Sequence, residues 1–147
     1  MGEAPSLILP RRPGEEIRFG FRVYVFLFSP PMTATRTSWP TKPLPSRTEG
    51  LDYVATFSPE QVLLLRRGFV PASTDDRWFV FFEENWLYFH HSRGGACIYA
   101  LRLDRVGEGM KVGRSWVNRN PDEHAARLPE LDRAVLGGLI RHLLLQS

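Results

Sequence analysis

The sequence holds one cysteine, Cys97, among its 147 residues. That excludes an intrachain disulfide and any metal knuckle built from paired cysteines, and it suits a reducing cytoplasm. Lysine is also scarce: of 19 basic side chains only Lys42 and Lys111 are lysines, a bias that fits a GC-rich bacterial genome. No apolar stretch approaches the roughly 20 residues a membrane-crossing helix needs, so no membrane association is expected. The run FGFRVYVFLF at 19–28 carries Arg22 and follows Glu15 and Glu16, which makes it a poor signal peptide as well.

Excess charge is missing where a polyanion would need it. The net charge is +3, yet residues 1–50 carry seven basic and four acidic side chains, while residues 51–147 carry twelve of each. The C-terminal two thirds therefore present no net field to a phosphate backbone, which argues against nucleic acid as a partner.

Proline is abundant only at one end, with eight of the twelve prolines in the first 50 residues. Motifs such as LPRRPG and WPTKPLPSR cannot support a regular helix or a central strand. Residues 1–50 are therefore expected to be largely irregular, with 19–28 as a candidate edge strand, and residues 51–147 to form a single domain of a size that buries its own core. Met32, which opens an ordinary polar leader, is a second candidate for the translation start beside Met1.

Beyond Leu51 the pattern becomes regular. FSPEQVLLLRRGF predicts a short helix, with Ser58 as N-cap, Pro59 at its first position, Glu60 in the first turn and Gly68 closing it. RWFVFFEENWLYFHH predicts two strands around a hairpin turn at EEN; apolar groups on both faces place them centrally in a sheet. ACIYALRLDRV at 96–106 and KVGRSWVN after the turn GEGM supply two more strands. The closing segment predicts a second helix near Pro129, with Glu130 and Asp132 suited to its positive N-terminus, and with Gly137 and Gly138 allowing close approach to a strand. The expected fold is α+β: a two-layer domain in which a roughly four-stranded antiparallel sheet is flanked by a short N-terminal helix and a C-terminal helix.

Chemistry concentrates at HHSRGG. Side chains alternate across a strand, so His90 and His91 point to opposite faces, which argues against a two-histidine metal site; no metal and no cofactor are expected. Ser92, Arg93 and the following glycines suit an anion cradle, because turn N–H groups converge and arginine offers a planar pair of donors. The same four residues also make a plain hairpin turn. Asp76 and Arg77 stand at the start of the first central strand, which a hairpin brings beside the end of the second. Asp76, Arg77, His90, His91, Ser92 and Arg93 are thus the candidate ligand-binding residues. Cys97 reads as a buried filler, Trp86 and Tyr88 as core or rim aromatics, and His124 and His142 as helix-surface or boundary residues.

The stretch DDRWFVFFEENWLYFHHSRGGACIYALRL resembles a family of small uncharacterised bacterial proteins that share a Trp-Phe aromatic strand, Leu-Tyr-Phe-His, and Cys-Ile-Tyr. The resemblance spans residues 53–106. Where that pattern reads His-Arg-Ser followed by an aromatic, this chain has His90, His91, Ser92 and Arg93, and no catalytic residue carries over. The resemblance loosely implies ADP-ribose-related chemistry nearby. Two functions stay open. The favoured one is a non-catalytic module that holds an anionic small molecule or a protein partner; the other is a small hydrolase or transferase acting on a phosphate- or nucleotide-containing, ADP-ribose-like substrate, with histidine as acid or base. Homodimerisation through a free strand edge is compatible with either.

Overall fold

A computed structural model describes residues 33 to 146; the edge strand expected at 19–28 lies outside them. The elements in chain order are β1 (Thr48–Gly50), β2 (Thr56–Phe57), α1 (Pro59–Arg67), β3 (Trp78–Glu83), β4 (Trp86–His91), β5 (Cys97–Val106), β6 (Gly109–Asn118) and α2 (Pro129–Leu139), which continues as a π-helical turn over Ile140–Leu145.

The fold is α+β, with a six-stranded antiparallel sheet in the order β1-β6-β5-β4-β3 and β2 pairing beside β1 on β6. This corrects the expected four strands. The additional two are three and two residues long, too short for any alternation to register in the sequence. They are two parts of one broken edge: Thr48 sits opposite Asn118 and Phe57 opposite Met110, and the intervening chain still bonds to β6 through Leu51 N–H to Ser115 O at 3.0 Å. The sheet therefore takes in residues ahead of the boundary expected at 50.

Helix α1 forms where its caps dictate. Ser58 Oγ accepts from Gln61 N–H at 3.2 Å while Gln61 Oε1 accepts from Ser58 N–H at 2.9 Å, a reciprocal capping box that satisfies two orphan donors. Gly68 ends it at φ 69°, and a Cβ there would collide with the Val80 carbonyl. That close approach lets Phe69 bridge to Val80, which covers part of the free edge of β3.

Strands β3 and β4 turn through Glu84 and Asn85 at φ 52° and 70°, the pair of positive values that a tight two-residue hairpin requires. One face of the sheet carries Val80, Leu87, Phe89, Leu101 and Leu103, all buried, and packs against Val62 and Leu65 of α1 and Leu136, Ile140 and Leu144 of the C-terminal helix. The other face carries Phe79 and Phe81 and is covered by irregular chain from residue 33 onward, with Ala34 and Trp39 packed on it.

The C-terminal helix buries residues 132, 136, 140 and 144, a stripe at four-residue spacing headed by an aspartate that is 0 % exposed. Leu128 and Leu131, at the start of this helix, are exposed. Gly137 and Gly138 do not meet a strand: a Cβ on Gly137 would reach Tyr53 Oη at 3.5 Å, ordinary contact, and one on Gly138 would touch nothing nearer than Arg141 Nη2 at 4.0 Å. Gly138→Ala should therefore stabilise the fold, by about 0.5–1 kcal/mol from helix propensity alone; an unchanged or lowered urea midpoint would contradict this.

Candidate functional site

The hairpin does bring the start of β3 beside the end of β4. Trp78 is opposite His91, and Ser92 N–H donates to Arg77 O at 2.9 Å. The side chains then diverge. His90 is buried on the loop-covered face, and His91 is half-buried on the helix-covered face with its ring 4.8 Å from Trp78. Ser92 is buried, while Arg77 and Arg93 are exposed. Asp76 accepts from Ala72 N–H at 2.9 Å and braces its own turn.

On the helix-covered face, burial and then the charges of His124, Arg77 and Arg127 hold His91 below its ordinary pKa. Beside it lies an ion cluster centred on Asp132. Its Oδ1 accepts from Tyr99 Oη–H at 2.8 Å and lies 3.1 Å from His124 Nε2, with Arg127 Nε at 3.6 Å. Arg119 Nη1 is 2.9 Å from Oδ2 but not aligned as a hydrogen bond to it, and Arg119 Nε donates to Glu49 at 2.7 Å. Sequence reasoning missed this cluster. It treated Asp132 as a helix-end charge and His124 as a boundary residue, yet both are buried. The signal was the spacing, since extending the 136, 140, 144 stripe back by four residues reaches Asp132. The arrangement ties the start of α2, the preceding loop and the sheet together.

His90 and His91 share a consequence for pH. Burial lowers the pKa of both, so the folded state holds them neutral. Unfolded histidine titrates near pH ~6.5. Between that value and the lower folded pKa the unfolded chain binds more protons, so stability is fully present above about pH 6.5 and is lost as pH falls through this window. His91→Gln should show a shallower loss of unfolding midpoint between pH 7.5 and 5.5, roughly the span of that titration; parallel slopes in variant and parent would refute the assignment.

On the other face, a cavity of about 490 Å³ lies between the sheet and the covering segment, within the ~300–1,000 Å³ usual for small-molecule sites. Its wall on the sheet is one cross-strand row. Phe81 is opposite Tyr88, Tyr88 opposite Ala100, and Ala100 opposite Trp116. Phe81 and Tyr88 stack at 5.0 Å, and Trp86 stacks along the strand on Tyr88 at 6.3 Å. His90 and Cys97 line the cavity from the next row, Thr41, Pro43 and Leu44 from the covering segment, and Arg36 and Lys42 supply its charge.

The loop that closes β4 onto β5 holds this cover in place. Gly95, at φ 78°, presents one carbonyl that accepts from Lys42 N–H at 2.9 Å and sits 2.9 Å from His90 Nδ1. Trp39 Nε1 donates to Ser92 O at 2.8 Å. Ser92 and Gly95 thus fasten the segment by backbone carbonyls. A carbonyl can only accept, so His90 Nδ1 carries the proton; in the neutral ring Nε2 is then an acceptor. Arg36 pairs with Glu83 through two hydrogen bonds, of 3.0 and 2.8 Å, and lies 5.7 Å above the Phe81 ring. Cys97 is 1 % exposed, and burial pushes its thiol up to about 12.

Among the described residues, no group of three or more His, Cys, Asp or Glu side chains is placed to hold a metal, and no helix is long and apolar enough to cross a membrane. No protein-family model, curated protein or solved structure matches the chain.

Proposed function

We propose that this chain is a non-catalytic binding domain whose ligand is an anionic small molecule with a flat apolar body, held in the cavity on the loop-covered face. The observation that carries the reading is the lining: an aromatic row on the sheet side with Arg36 and Lys42 and, among the described residues, no acid. Binding sites of this kind combine apolar walls with a few convergent polar groups. The Arg36 and Glu83 pair takes up Nε and Nη2 of the guanidinium, so a ligand anion meets Arg36 at Nη1, outside that pair.

The chemistry of the lining favours binding over catalysis. A cysteine nucleophile acts as thiolate, and a thiol pushed to about 12 stays protonated near neutral pH. His90 spends Nδ1 on Gly95 O, which leaves the ring no orienting carboxylate.

A thermal-shift screen of the full chain against anionic compounds, with and without an aromatic ring, tests this. Members carrying both features should raise Tm, and Lys42→Glu, a change at an exposed side chain, should abolish the rise while leaving the unliganded Tm in place. No rise with any anion would end the proposal.

A further inference from the structure

Ala100 interrupts an otherwise aromatic row. Its neighbours Tyr88 and Trp116 stand on β4 and β6, two strand spacings apart, which is roughly 10 Å. Two stacked aromatic contacts at the 5.0 Å centroid spacing that Phe81 and Tyr88 show would span the same distance. Tyr88 already has one ring neighbour in Phe81, and its other side faces the small residue. Tyr88 and Trp116 are half-buried, whereas Ala100 is buried beneath them. One planar ring standing between the two walls completes the row.

The polar groups narrow the identity of that ring. The neutral His90 offers Nε2 as an acceptor from the adjacent row, which suits a ring bearing an N–H donor, amino or imino. A plain hydrocarbon ring leaves it without a partner. At the rim, Lys42 is a point charge on a flexible stem and Arg36, whose Nε and Nη2 are held by Glu83, presents Nη1; together they suit a phosphate. A nucleotide supplies all three features, a stacking base, an amino or imino N–H on that base, and a phosphate.

We infer that the cavity is a nucleotide site in which the base stands between Tyr88 and Trp116 over Ala100, donates to His90 Nε2, and places its phosphate at Lys42 and Arg36. This rests on the proposed binding function and specifies its ligand class. The base stacks and makes one hydrogen bond; it is not read by a full set of partners, so discrimination among the four bases is weak.

Tryptophan-fluorescence titrations of the full chain separate the parts. AMP, CMP, GMP and UMP should all bind, adenosine at least tenfold more weakly than AMP, and ribose 5-phosphate not measurably. 1-Naphthyl phosphate, which keeps the ring and the phosphate but has no ring donor, should bind at least tenfold more weakly than AMP. Trp116→Ala should weaken AMP by tenfold or more, and Lys42→Ala should bring AMP towards adenosine. Naphthyl phosphate binding as tightly as AMP would overturn the nucleotide assignment while leaving an anion-binding cavity. Failure of all these probes would remove both. Because the decisive comparison is between ligands on one unaltered protein, loss of folding in a variant does not blunt it.

Discussion

Asp132→Ala is expected to cost about 3 kcal/mol of folding stability, the lower part of the range for breaking a buried ion pair. The carboxylate is fully buried and gathers Tyr99, His124, Arg127 and Arg119 within 3.6 Å. Removing it leaves the Tyr99 hydroxyl and His124 without their acceptor and leaves Arg119 with Glu49 alone. The figure sits low in the range because Arg119 keeps that second partner and is not fully enclosed, with 15 % of its side chain exposed. Asp132→Asn keeps an acceptor for Tyr99 and should lose less. Urea unfolding checks both; a change below about 1 kcal/mol in the alanine variant, the size of an exposed pair, would show that the cluster is not a structural tie.

Gly95→Ala is expected to do more than strain a turn. The residue needs φ 78°, and an added Cβ would come to 2.7 Å from Pro40 O, in the segment that covers the cavity. Positive φ alone costs an alanine more than about 1 kcal/mol. The collision adds to that and pushes away the segment held by the Lys42 to Gly95 hydrogen bond. Gly94 is the control, since its φ is 80° but a Cβ there meets nothing within 4 Å. Gly94→Ala should therefore carry the strain alone and keep the cover. Amide hydrogen exchange at Lys42 distinguishes them: fast in Gly95→Ala, native-like in Gly94→Ala. Equal protection in the two variants would mean that Gly95 does not clasp the segment.

Much of the frame was legible because it rests on local chemistry. The cap at Ser58, the stop at Gly68 and the hairpin at Glu84 and Asn85 are each fixed by a few adjacent residues, and the structure shows all three. The opposed placement of His90 and His91 followed from strand alternation. What escaped notice depends on distant partners. Strands β1 and β2 exist because β6 offers an edge, not because TEG or TF prefers to be extended. Asp132 is buried because Arg119 and His124 meet it there, whereas in sequence it resembles any acid near a helix start. The cavity needs the register of four strands to align Phe81, Tyr88, Ala100 and Trp116, and it needs a proline-rich segment to fold over them. The SRGG turn drew attention as an anion cradle; its backbone carbonyls also carry the contacts that hold the cover.

The four tryptophans offer the most direct measurement of where a ligand sits. Trp86 and Trp116 line the cavity, whereas Trp78 packs on the helix-covered face beside His91 and Tyr99. In proton–nitrogen NMR spectra of the indole groups during an AMP titration, the Trp86 and Trp116 signals should move together while Trp78 stays fixed. Movement of Trp78 with Trp86 and Trp116 unchanged would place the anion at the Arg77 and His91 end of the sheet and contradict the cavity as the binding site.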